Sequence, residues 1–378
     1  MIKIGILNKG LSLKWGHNFG YWFYLKYFHQ ELLENGYEIK FYKNLTQEFF
    51  KSDLIMINSR IYTDTKVNLI KKKLNFRSNH NFLDSLNKIS KKNPNIIWLD
   101  SSDSAGNTQF EVLPLVKKYV KKQFYKDKSL YKKNFFRNRF YSDYYQNNFK
   151  LEKKSTQKFV TLSDEFSHKL VLGWNIGVGN YFESLRYNRL AEFFCILRAI
   201  TYSNYKDLFR YTLGYHNQIK KENDVFFKFN LRDNENKISI HYQRQKVNEI
   251  LTKNFGIKNS KRLSHREFLL SLKNSKISVG AFGWGEVCYR EFEAIKMGTA
   301  VIFPKMDNIE TWPNIYQDRV TYLSYDYDMN NLLDRIKELL ENDDLRNTLV
   351  KNSQRVCKSV YENEGLNFLI NFLKKITD

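Results

Sequence analysis

The sequence predicts an α/β protein made of two Rossmann-like, doubly wound halves. Its first 42 residues run apolar strand, glycine-bearing loop, helix, strand, which is how a parallel sheet begins. The same succession recurs at 277–303. There Ile277 to Ala281 reads as a strand, Gly283 and Gly285 as a turn, Glu286 to Met297 as a helix, and Ala300 to Phe303 as a second strand. The length of 378 residues exceeds one ordinary core and suits two.

In chain order, MIKIGIL is the first strand, and the loop from Asn8 to Gly20 carries Lys14 and His17. Ligands of such sheets gather outside the carboxyl ends of the strands, so both side chains belong either to that cleft or to plain surface loop. The loop lacks the G-x-G-x-x-G fingerprint, so dinucleotide binding has no support. A helix from Tyr21 stops at Asn35-Gly36, and Tyr37 to Tyr42 and Asp53 to Asn58 are the next strands. Helices over Lys66 to Lys73 and Asn81 to Lys91 lead to the strand Asn95 to Leu99, which delivers Asp100-Ser101-Ser102-Asp103-Ser104 at its end. Two carboxylates at such an edge suit general-base work on a hydroxyl, while the same string is equally turn and N-cap chemistry.

Lys117 to Lys150 is the most basic and aromatic stretch. Such a segment can sit on an anionic membrane surface, stack on bases, or pack its rings on its own domain. Val160 to Leu162 and Leu170 to Ile176 read as strands, with a helix from Tyr181.

In the second half, Val225 to Asn230 ends on Leu231-Arg232, and Ile240 to Thr252 carries Arg244 and Lys246 near the same edge. Ser264-x-x-Glu267 is a capping box opening the helix to Leu272. On the helix expected from Glu286, the side chains of Glu286, Arg290 and Glu293 share one stripe. A guanidinium that forks onto phosphate, beside glycines and a helix N-terminus, suits an anionic, hydroxyl-rich ligand; the plain alternative is an exposed face of ion pairs. Lys305 to Trp312 reads as a sheet-edge loop, Val320 to Ser324 as a strand, and Met329–Glu341, Asp344–Tyr361 and Leu366–Ile376 as helices.

The string G-W-G-E-x-x-x-R-x-F-E-A-x-x-x-G-T, followed by an apolar strand and E-T-W-P, resembles the donor-binding half of GT-B-fold glycosyltransferases of bacterial glycan assembly. The stretch from Asp100 through Glu111–Pro114 resembles them more weakly. The resemblance implies two domains facing a cleft, 1–205 on the acceptor side and 206–361 on the nucleotide-sugar side, with 362–378 crossing back to the first. It implies that Glu293 holds donor hydroxyls and that Arg290, with Arg232, Arg244 or Lys246, clamps the donor's diphosphate. Glu286, Gly283, Gly285, Glu310 and Thr311 would line the donor, and Asp103, Asp100 or His17 would supply a base if the enzyme inverts. Retaining enzymes of this kind keep seven residues between two Glu, whereas Glu286 and Glu293 enclose six, so stereochemistry does not carry over.

The composition, 42% hydrophobic and 27% charged, is that of a globular chain, and the net charge of +22 calls for an anionic partner. From charge alone that partner is a nucleotide, lipid phosphate, acidic glycan or nucleic acid, or the lysine excess is compositional drift with no partner. The resemblance implies a nucleotide-sugar co-substrate and a glycan or lipid-linked acceptor, with an anionic membrane within reach of 117–150. The alternative function is a basic nucleic-acid-associated protein without catalysis, which no RNA-binding signature supports. Three scattered cysteines form neither a disulfide framework nor a metal cluster. Asp326-Tyr327-Asp328 fits a D-x-D pattern but reads as a loop after a strand, so metal independence is expected, with no cofactor beyond the nucleotide-sugar co-substrate. No apolar run reaches membrane-spanning length and no leader pattern opens the chain, which fits a cytoplasmic protein, peripheral at most.

Overall fold

Two parallel sheets carry the fold of this computed structural model, which describes residues 1–8, 17–59, 80–151, 159–178, 215–216, 221–231, 238–257 and 263–378. The first half contains β1 (Ile2–Leu7), α1 (His17–Tyr27), α2 (His29–Glu34), β2 (Tyr37–Tyr42), α3 (Gln47–Phe50), β3 (Leu54–Asn58), α4 (His80–Ser90) and β4 (Ile96–Asp100). It continues with β5 (Lys118–Lys121), β6 (Gln123–Tyr125), α5 (Phe140–Phe149) and β7 (Leu170–Leu172). Its sheet runs β2-β1-β3-β4-β5-β7, every neighbour parallel. A parallel sheet is covered on both faces, so its central strands are apolar throughout rather than alternating. All five residues of β3 and of β4 are buried. Ile55, Ile57, Ile96 and Trp98 enter one core, and Leu54, Met56, Ile97 and Leu99 enter the other.

The second half contains β8 (Asn223–Phe226), α6 (Ile238–Phe255), α7 (His265–Lys273), β9 (Ser275–Val279), α8 (Tyr289–Lys296), β10 (Ala300–Pro304), β11 (Ile309–Thr311) and β12 (Leu323–Tyr325). The helices α9 (Leu332–Glu341), α10 (Asp343–Ser359) and α11 (Asn363–Thr377) close the chain. This sheet runs β12-β10-β9-β8, again parallel. The capping box at Ser264 and Glu267 forms as the sequence requires. The α/β class and the parallel doubly wound sheets are therefore as predicted.

The last helix returns to the first half. Leu369, Phe372, Leu373 and Ile376 share a core with Val171 and Trp174, Phe372 lies 5.3 Å from Trp174, and Lys117 Nζ donates to the Thr377 carbonyl. Trp312 stacks on Phe368 at 3.9 Å, tying the same helix to the second half.

Four expectations need correction. The loop expected from Lys305 to Trp312 contains β11, which pairs antiparallel with β6 of the first half and so joins the halves. The rings of Lys117 to Lys150 pack within the protein, and not on their own half alone. Tyr119, Tyr125, Tyr131, Tyr141 and Tyr145 are buried, and Tyr141 stacks on Phe282 at 4.5 Å across the two halves. The first long helix breaks at Phe28 into α1 and α2, and Val160 to Leu162 is not a strand. The helices expected at 66–73 and from 181, and the boundary at 205, lie outside the described residues. No helix among the described residues is long and apolar enough to cross a membrane.

Candidate functional site

The carboxyl ends of β4 and β9 deliver two loops that meet between the sheets. Gly285 sits so close to the first of them that a Cβ there would lie 1.8 Å from the Asp103 carbonyl oxygen. This glycine therefore admits protein backbone, not a ligand. Beside it Glu286, 2% exposed, accepts from Ser104 Oγ at 2.7 Å, the Ala105 amide at 2.9 Å and Gln123 Nε2 at 2.8 Å. Three donors from the first half occupy a carboxylate assigned from sequence to a donor sugar. The helix stripe fails for a local reason: Cys288 is the extended N-cap (φ −123°, ψ 158°), so α8 begins at Tyr289 and Glu286 stands before it.

Asp100 is also spent within the fold. It is fully buried, 2.8 Å from Lys121 Nζ, and accepts from Tyr119 Oη at 2.5 Å and from the Ser102 amide at 2.8 Å. Burial alone raises its pKa. The Lys121 charge and these hydrogen bonds outweigh burial and hold it below the usual carboxylate range. Asp100 is thus a buried ion-pair partner, not a base open to an acceptor. Asp103 differs: its side chain is 39% exposed, with Lys122 Nζ 3.3 Å away.

Arg244 and Arg290 come together at the β9 edge. Their guanidinium carbons lie 6.0 and 5.3 Å from the Phe229 ring centre, so one aromatic ring carries two cations. Arg244 Nε donates to the Phe282 carbonyl at 3.2 Å, and Arg290 Nη2 donates to the Ala281 carbonyl at 2.8 Å. A Cβ on Gly283 would be 2.8 Å from Cys288 Sγ and 3.7 Å from Arg244 Nη2, so Gly283 opens this corner to both. Among the described residues neither guanidinium forms a salt bridge. Burial, then the neighbouring Arg290 charge, lowers Arg244 to about 10. For Arg290 burial also pulls downward, but Glu291 and Cys288 more than offset it and its pKa is raised. Two like charges held together by main-chain carbonyls form a site that an anion would stabilise.

Of the remaining predicted residues, Glu293 is 15% exposed and pairs with His265 Nε2 at 2.8 Å. That hydrogen bond raises the His265 pKa, against a smaller effect of burial. Glu310 pairs with Lys128 at 2.6 Å, and Thr311 accepts from Asn175 Nδ2 at 2.9 Å and donates to the Lys122 carbonyl at 3.2 Å. Both lie in β11 at the seam with β6, not at the Arg244–Arg290 corner. Lys246 pairs with Glu249 at 2.9 Å and is likewise absent from that corner. His17 opens α1, with its side chain outside the described part; Lys14 and Arg232 lie outside the described residues.

Sequence reasoning missed Phe229, the ring under both guanidiniums, and Glu291. Glu291 is 2% exposed, its Oε2 has no hydrogen-bond partner, and burial raises it from 4.5 to about 7 against the opposing Arg290 charge. Helical spacing held the signal, since Glu291 falls between Cys288 and Ile295 on the apolar stripe. Among the described residues no group of three His, Cys, Asp or Glu side chains is arranged to hold a metal.

No protein-family model matches the chain, and no curated protein does. Among solved structures, the chain is similar to an alpha-glucosyltransferase (AGT) in complex with UDP, at 11% identity over 100% of both chains with a TM-score of 0.43. It is also similar to T4 phage BGT in complex with its UDP-glucose substrate, at 12% identity over 100% of both chains with a TM-score of 0.42. A glycosyltransferase from Rickettsia africae follows at 13% identity over 99% of both chains, with a TM-score of 0.39. The two parallel sheets and the last helix that returns to the first half define the fold as α/β, doubly wound.

Proposed function

We propose that this chain is a glycosyltransferase that moves a sugar from a nucleotide-sugar donor to a glycan or lipid-linked glycan acceptor. The observation that carries the reading is the Arg244–Arg290 pair over Phe229, two cations without a salt bridge among the described residues at the carboxyl edge of a parallel sheet. A leaving nucleoside diphosphate gains charge as the glycosidic bond breaks, and two preorganised guanidiniums stabilise that charge. They supply the positive charge that a divalent ion would otherwise bring, so activity is expected to survive EDTA. Asp103, exposed at the seam and within reach of Lys122, is the group suited to accept a proton from an acceptor hydroxyl in an inverting reaction. Glu293 serves donor hydroxyls only by parting from His265.

Thermal-shift screening against UDP-, GDP-, CMP- and ADP-sugars tests the reading. A true donor at 100 times its Kd stabilises the fold by about 2.7 kcal/mol, an easily read rise in Tm. If none of these shifts Tm while nucleic acid binds tightly with a steep salt dependence, the alternative of a basic nucleic-acid-associated protein takes its place.

A further inference from the structure

Next to the two guanidiniums stands a carboxylate that the transfer reading leaves unused. Glu291 follows Arg290 on α8 and is 2% exposed. Its Oε2 has no hydrogen-bond partner, and a Cβ on Gly280, just past β9, would lie 3.1 Å from its Oε1. The next residue, Ala281, offers its carbonyl to Arg290 Nη2 at 2.8 Å. Consecutive residues of one turn thus border the carboxylate and the guanidinium, yet no salt bridge joins the two among the described residues. The Tyr325 hydroxyl is spent on the Gly280 carbonyl, to which it donates at 2.8 Å.

The titratable groups facing Glu291 come from several elements. Arg290 and Glu293 share its helix, Cys288 precedes it, and Arg244 approaches from α6. Tyr316 and Tyr325 approach from the chain before and within β12. His265 of α7 pairs with Glu293 at 2.8 Å. Arg244 and Arg290 are the cations of this group, and an ionised Glu291 stabilises the charge of both. Glu291 is therefore the carboxylate that compensates the anion corner from inside the fold. Burial opposes its ionisation and Arg290 favours it, with the outcome at about 7. An anion at the corner supplies the compensating charge from outside and faces the buried carboxylate as a like charge.

We infer that Glu291 is a proton-linked counter-charge: its carboxyl takes up a proton when an anion occupies the Arg244–Arg290 corner, and re-forms the carboxylate as the anion leaves. The inference rests on the anion reading of that corner and adds its regulation. Binding and protonation favour each other reciprocally. Affinity is therefore full below the carboxyl's own value of about 7 and falls as the pH rises through it.

The test is calorimetric titration with UDP-glucose, GDP-mannose and inorganic sulfate, all fully ionised near neutrality, in two buffers of unlike ionisation heat. Wild type, Glu291→Gln and His265→Asn are compared. Wild type should take up about 0.3–0.5 proton per anion at pH 7 and bind about fivefold more weakly at pH 8 than at pH 6. Glu291→Gln should lose the uptake and change affinity less than twofold over that range, whereas His265→Asn should keep both effects. Binding by wild type without proton uptake, or uptake retained in a folded Glu291→Gln, would overturn the inference and leave the anion corner standing. Sulfate bound with uptake while neither nucleotide-sugar binds would count against the transferase reading alone. No binding of any of the three would overturn both.

Discussion

Two clusters of charge sit at the edges of the two sheets, one buried and one half-buried, and they differ in how they are neutralised. At the end of β4, Asp100 and Lys121 are both fully buried and satisfy each other at 2.8 Å, with Tyr119 completing the set. At the end of β9, Arg244 and Arg290 share one Phe229 face, with main-chain carbonyls as partners and no salt bridge among the described residues. The difference separates structure from function. A buried pair that satisfies itself fixes two strands, whereas a pair of like charges is maintained at some cost to stability and marks a place where charge arrives from outside.

The largest stability effect is expected at the self-satisfied Asp100–Lys121 cluster. Asp100→Ala leaves the Lys121 ammonium buried without its counter-charge and should cost about 3–5 kcal/mol in urea unfolding. Asp100→Ala unfolding as wild type does would show that the pair is not structural.

Glu291 sharpens the contrast from the other side, through pH. Its carboxyl, normally near 4.5, stays protonated in the fold to about 7, so the folded state keeps a proton that the unfolded chain has lost. Stability from this group therefore falls as the pH rises from about 4.5 through 7, by about 3 kcal/mol in all. Glu291→Gln cannot ionise, so its stability relative to wild type should climb over that window and level off above it. Parallel stability curves from pH 5 to 8 would refute the assignment.

A smaller effect is expected at the seam. Glu286→Gln keeps the shape but turns one acceptor oxygen into a donor facing Ser104, Ala105 and Gln123. A loss of about 2 kcal/mol follows from the unmatched donors. Nucleotide affinity in the folded variant should stay within a few-fold of wild type; a much larger loss would return Glu286 to the ligand.

Most of the architecture was readable because parallel strands are apolar along their whole length and because caps are local. Ile96 to Asp100 and Ala300 to Pro304 announce themselves, and Ser264 needs only Glu267 three residues away. The site was less legible because its partners are distant in sequence. Nothing near Asp100 names Lys121 as its counter-ion, and nothing near Gly285 reveals that Asp103 presses against it. Arg244 and Arg290 could each be suspected alone, but only the fold brings both over Phe229. The Glu286–Arg290–Glu293 stripe failed on one detail, a helix that starts at Tyr289 rather than at Glu286.

The central claim is that the Arg244–Arg290 corner exists to hold a nucleoside diphosphate. The most direct test is calorimetric titration of UDP, GDP, CDP and ADP into wild type, Arg244→Met and Arg290→Met, with Tm recorded for each. The account predicts that wild type binds one of them and that each variant binds it about 10- to 100-fold more weakly. Tm shows that each variant is folded; Arg290→Met should melt lower than Arg244→Met, because it also removes the charge that opposes burial of Glu291 and the donor to the Ala281 carbonyl. Nucleotide affinity unchanged in both folded variants would contradict it.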